Sequence, residues 1–144
     1  MTTELSTSTP GRVRPLRLLA AVALSVVVIT ASNAGLSVIG TAIFSAPDDF
    51  CAFLPQNSVP MTLEAVVLAA VAWVLLSRRS ARPAWWFYHG MRVFVLVSWL
   101  LSLLALATWR SVLGVVTLDI MVVIGATVIY LTMTRIAPIG RVTA

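Results

Sequence analysis

The stretch MRVFVLVSWLLSLLALATWRSVLGVVTLDIMVVIGATVIYLTM, Met91 to Met133, decides the fold. Read as one helix it would run roughly 65 Å, twice the hydrocarbon thickness of a bilayer. It must therefore fold back. The only polar interruption is Thr108, Trp109, Arg110 and Ser111, so a tight hairpin turn is predicted there. Gly114 falls in that turn or just inside the following helix. No alternation of apolar and polar positions marks the stretch as strands.

Two further apolar runs lie upstream. Leu18 to Ala46 carries no charge and no proline. As a helix it reaches roughly 43 Å, so it tilts or projects past the membrane. It is too long for the apolar segment of a signal peptide. Met61 to Ser77 is shorter, roughly 25 Å. Pro60 marks its start, because a proline in the first helical turn leaves no hydrogen bond unmade. The expectation is an all-α integral membrane protein, a four-helix up-and-down bundle over residues 16–138. Its helices fall at about 18–46, 61–77, 84–107 and 111–133, with a disordered cytoplasmic tail at 1–15 and a short one at 139–144. All seven prolines are expected outside these helices or at their edges.

Composition supports this class. Of 144 residues, 60% are hydrophobic and 10% are charged, where a soluble domain carries about 25% charged residues. A disordered chain needs the opposite balance. Seven Gly and one Cys exclude collagen-like and disulfide-rich scaffolds.

The net charge is +5, and every basic residue is Arg. These arginines lie at the ends of apolar runs, which points to topology and lipid headgroups rather than to nucleic acid. Arg12, Arg14 and Arg17 precede the first helix. Arg78, Arg79, Arg82 and Arg92 surround the link between helices two and three, and Arg135 and Arg141 follow helix four. The opposite side holds Arg110 with Asp48 and Asp49. The positive-inside rule then places both termini in the cytoplasm of a plasma-membrane protein. Trp85, Trp86 and Tyr88 fall at the inner interface and Trp109 at the outer one, as an aromatic belt.

The outer loop, Pro47 to Pro60, contains Asp48, Asp49 and Cys51. Two adjacent carboxylates fall far short of the oxygen ligands of a hard-cation site, so they read as a solvated turn with no metal. Cys51 has no second cysteine. It either bridges to another chain or is an unreactive thiol beside Phe50 and Phe53.

Polar side chains within the spans need a reason, because they are costly in hydrocarbon. Asp119 lies eight residues into helix four, roughly 12 Å from its outer end. Asn33 sits within about one turn of that depth on helix one, and a hydrogen bond between the two is expected. Thr30, Asn33, Ser37 and Gly40 share a face. Ala31 and Gly35 form a small-xxx-small pair beside it that admits another helix. Ser98 and Ser102, four apart on helix three, line the same interior. Glu64 falls in the first turn or so of helix two, where the helix dipole favours a carboxylate. The alternative places it in an outward-opening cavity above Asp119. For Asp119 itself, interhelical glue and a proton or ion relay are the two readings.

No enzyme is expected. His89 has no partner at ligand spacing, and no phosphate loop, zinc motif or nucleophile elbow is present. No cofactor is implied.

The Asn–small–Gly segment from Asn33 to Gly40 recurs in a known pattern, with Met61, Thr62 and Leu63 opening helix two. Thr117 to Met121 completes it in helix four. The chain thereby resembles, from about Arg14 to Pro138, a family of small four-span actinobacterial membrane proteins whose function is not established. The resemblance implies the same topology and an actinobacterial source. That family commonly has a His near the position of Asp119, a departure here, though both side chains exchange protons. Small multidrug-resistance exporters also have four spans, but their essential Glu lies in helix one, which here has none. The expected function is a scaffolding or accessory membrane subunit, working as a homo-oligomer or with a membrane protein partner in the lipid bilayer. The alternative is a proton- or ion-coupled transporter-like module using Asp119, Asn33 and Glu64.

Overall fold

The computed structural model describes residues 13–42, 54–110 and 112–139. They form four helices: α1 (Pro15–Ala42), α2 (Pro55–Arg79), α3 (Pro83–Trp109) and α4 (Val112–Ile136). Each is long and apolar enough to cross a membrane. The protein is an all-α four-helix bundle of the multi-pass membrane class. In lipid an unpaired peptide group has no water to bond, so such apolar runs become helices whose backbone is satisfied internally.

Proline and one arginine set the boundaries. Pro15, Pro55 and Pro83 are each the first residue of their helix, where the ring presets φ and no bond is lost. α3 stops at Trp109 because Arg110 adopts a left-handed conformation, φ 51°. Its N–H caps the Leu106 carbonyl at 2.9 Å. Helix α3 thus continues through Thr108 and Trp109, which the predicted Thr108–Ser111 turn places in the link. Gly114 is buried inside α4 rather than in the turn.

Helix α2 departs most from expectation. It starts at Pro55, not at residue 61, and carries Pro60 in its interior. Leu54 takes an extended conformation, and its carbonyl accepts from Asn57 and Ser58 at 2.9 and 3.0 Å. Pro60 is the sixth residue, so the single contact it denies lies with the Gln56 carbonyl, still near the end of the helix. Glu64 thus lies ten residues into α2, not in its first turn, and the helix-dipole reading loses its basis. The expected end of helix one near residue 46 lies outside the described residues, as do Asp48, Asp49, Cys51 and residues 1–12 and 140–144 of the two tails; Pro15, the last residue of the expected N-terminal tail, already belongs to α1.

Helix α4 packs against all three others, most extensively against α1; α2 also touches all three, and α1 does not reach α3. Hereafter the terminal end of the bundle is where α1 and α3 begin and α2 and α4 finish; the distal end is opposite. The main core lies in the terminal half, built from Ala21, Ile29, Val66, Trp73, Phe87, Ile129 and Met133. A smaller cluster of Val115 and Met121, with Leu36, Leu106 and Leu118 against it, lies distally. Gly125 brings α4 close to α1, since a Cβ there would stand 3.8 Å from Ile29 Cγ2.

Candidate functional site

Polar groups within the spans separate into bonded and unbonded sets. Most hydroxyls donate back to a carbonyl of their own helix. Ser37 reaches Asn33 O at 2.8 Å, Ser102 reaches Ser98 O at 3.0 Å and Thr117 reaches Leu113 O at 2.8 Å. Such bonds remove the cost of a hydroxyl in hydrocarbon without help from another helix. Ser102 is buried, 4% exposed, and Thr117 1%.

One hydroxyl pair crosses between helices. Ser25 Oγ and Thr132 Oγ1 are 2.6 Å apart at the α1–α4 contact. Either hydroxyl donates to the other. The remaining proton goes to Ala21 O, 2.7 Å from Ser25, or to Val128 O, 2.9 Å from Thr132. Sequence reasoning missed this pair. The signal was present, because Ser25 extends the four-residue spacing of Asn33 and Ser37 one step beyond Ile29.

At the terminal end an aromatic group closes the core. Trp73 is buried and its indole N–H donates to the Ala137 carbonyl at 3.0 Å, past the end of α4. Its ring meets Phe87 edge to face at 5.1 Å. Within Trp85–Tyr88, Phe87 is buried while Trp85, Trp86 and Tyr88 are exposed, as amphipathic rings at an interface would be. His89 Nδ1 lies 2.9 Å from Trp85 O, so that nitrogen carries the proton in this contact.

The expected bond between Asn33 and Asp119 is not formed. Asn33 Nδ2 donates instead to Thr62 Oγ1 on α2, a long contact of 3.4 Å. Asp119 lines an open groove between α3 and α4 with Trp99, Val116, Ile120, Val123 and Ile124. The helical period explains the difference. Thr117 and Met121 are buried, and Asp119, two residues from each, points about 160° away from both. Similar depth does not create contact when the faces diverge. Three buried oxygens among the described residues have no hydrogen-bond partner: Thr30 Oγ1, Asn33 Oδ1 and Asp119 Oδ1.

The structure therefore brings Asn33 and Ser37 together, through the Asn33 backbone, and leaves Asp119, Ser102 and Glu64 apart from them. Glu64 is exposed on the outside of α2, and Asp119 opens to the α3–α4 side. Glu64 is not among the residues that line the Asp119 groove. The Ala31–Gly35 pair also faces outward, and a Cβ on Gly35 would meet nothing within 4 Å. Among the described residues no other helix packs on Gly35. Among the described residues no three His, Cys, Asp or Glu side chains come together as metal ligands would.

Trp99 was not singled out by sequence. It shares the groove with Asp119, is 45% exposed, and its indole N–H has no hydrogen bond among the described residues. One groove thus carries an unbonded donor and an unbonded acceptor. No protein family, no curated protein and no solved structure matches the chain.

Proposed function

We propose that the protein is a scaffolding subunit of the plasma membrane, without catalytic activity, that assembles through the α3–α4 groove. The observation that carries this reading is Asp119, whose carboxyl group lines the α3–α4 groove and whose Oδ1 has no hydrogen-bond partner among the described residues. An unbonded carboxyl group at that depth is costly, and a donor from another transmembrane helix relieves the cost. The occupant favoured by the groove is a second copy. Trp99 offers the donor and Asp119 the acceptor on one surface, so a two-fold contact makes the bond twice. The transporter-like alternative has less support, because Glu64 is exposed and is not among the residues lining the Asp119 groove. Positive-inside charge places both termini in the cytoplasm in this reading, with Arg14, Arg17, Arg78, Arg79, Arg82 and Arg135 at the terminal end.

The test is resonance energy transfer between N-terminally labelled copies in vesicles, across a series of protein-to-lipid ratios. The parent is expected to associate. D119L and W99F each remove both copies of the bond and weaken association about 7- to 700-fold, as two interhelical bonds of ~0.6–2 kcal/mol each imply. D119N retains an acceptor and keeps most of the affinity. Transfer at the random-mixing level in the parent, or undiminished transfer in both variants, would overturn the proposal.

A further inference from the structure

The α3–α4 groove continues toward the terminal end, away from Asp119. Beyond Trp99 and Val123 it holds a cavity of about 320 Å³, with Leu96 on one wall and Tyr88, Arg92 and Tyr130 at its head. The lining is almost wholly apolar, while the head is not. Arg92 lies nine residues after Pro83, roughly 13 Å along α3. A guanidinium at that depth does not stay in hydrocarbon; its side chain turns toward the nearer interface. Helical side chains also lean toward the helix start. Both effects are met, since the Arg92 guanidinium carbon lies 5.7 Å from the Tyr88 ring centroid, one turn back. The Tyr88 and Tyr130 rings meet at 5.7 Å, edge to face, which gathers both phenols at the same place.

None of these three side chains has a hydrogen bond or ion pair to its polar end among the described residues. Arg92 is exposed and has no carboxylate opposite it there. The groove head thus combines one cation and two hydroxyl donors, with an apolar channel leading from it at acyl-chain depth. We propose that this is a binding site for an anionic phospholipid. Its phosphate is held by Arg92, Tyr88 and Tyr130, and one acyl chain lies along Leu96, Trp99 and Val123. Guanidinium suits this task because its planar fork matches phosphate oxygens. The negative lipid is preferred because the head offers a cation and, among the described residues, no carboxylate to pair with the cation of a zwitterionic headgroup.

The site shares Trp99 and Val123 with the assembly groove, but its headgroup contacts at Arg92, Tyr88 and Tyr130 do not include Asp119. It is tested on the purified full chain in phosphatidylcholine vesicles containing spin-labelled phosphatidylglycerol or spin-labelled phosphatidylcholine, measuring the motionally restricted lipid fraction. The parent is expected to prefer phosphatidylglycerol. R92Q lowers that preference about fivefold, the effect of one basic residue near a membrane surface. R92K retains the charge but loses the fork and falls between. Y88F/Y130F lowers the preference less than R92Q does. R110Q, at the distal end, leaves it unchanged, as does D119L, which separates this outcome from the assembly test. Arg92 is exposed, so unchanged helicity of R92Q is expected and is checked by circular dichroism. Equal association of the two lipids with the parent, or undiminished preference in R92Q, would overturn the assignment.

Discussion

Trp73 and Asn33 both face neighbouring helices, yet the bundle treats them differently. Trp73, in the terminal half, is 2% exposed, and its N–H, ring edge and ring face all meet partners. Asn33, in the distal half, makes one long bond and keeps its carbonyl oxygen buried and unmatched. The contrast extends to their surroundings. Ser25 and Thr132 satisfy each other beside the main core, whereas Asp119 Oδ1 has no hydrogen-bond partner among the described residues. The terminal core around Trp73 is complete as folded. The distal half keeps unspent hydrogen-bonding capacity, which is why the proposed assembly surface lies there.

This difference can be sharpened or broken by substitution, using reversible unfolding in mixed detergent as the common measure of stability. The largest effect is expected from Trp73→Ala, which empties the terminal core and orphans the Ala137 carbonyl, costing about 3–5 kcal/mol. Trp73→Phe keeps most of the volume and loses one hydrogen bond, about 1 kcal/mol. If the two variants unfolded alike, the indole contact would not matter and the terminal half would be less specific than described.

Gly125 comes next. Its hypothetical Cβ meets only ordinary van der Waals contact at 3.8 Å, so Gly125→Ala is expected to be tolerated. Gly125→Leu wedges α1 from α4 and costs about 1–3 kcal/mol. The same unfolding measurement, together with loss of the Ser25–Thr132 contact, checks it. A stable leucine variant would show that the α1–α4 approach is loose.

Asp119→Leu reverses the direction of effect. With no partner to lose, its unfolding free energy is expected to hold or rise by about 1 kcal/mol, the cost of an unmatched buried oxygen. Its association meanwhile weakens as given above. A large loss of stability would mean that Asp119 is bonded within the chain after all. The smallest effect is expected for Ser25 and Thr132. A double-mutant cycle with Ser25→Ala and Thr132→Val should give a coupling of about 0.6 kcal/mol, the mean for interhelical bonds in a membrane. Each hydroxyl has its own helix carbonyl as an alternative, which keeps the coupling low.

How far the sequence reached can be followed residue by residue. The hairpin near Arg110 was legible because two bilayer lengths of apolar chain with one polar interruption allow only one fold-back. The early start of α2 was not, because Pro60 reads as a helix start wherever it stands and nothing in the next residues contradicts it. The Asn33–Asp119 bond was expected from similar depth and failed on azimuth. Trp73, Trp99 and Thr62 were passed over because an apolar or hydroxyl residue in an apolar run carries no mark of which way it points.

The sequence by itself determined that there are four spans, that they are helices, and where the charges gather. These follow from hydrophobic length and from proline and arginine placement, which act locally. Only the tertiary structure decided that Asp119 turns to the α3–α4 groove, that Asn33 meets Thr62, and that Ser25 meets Thr132. The physical reason lies in the solvent. Water forces a soluble helix to declare its inner face by polarity, but lipid tails are as apolar as a packed core. The outward and inward faces of these helices are therefore written in the same residues, and packing alone separates them.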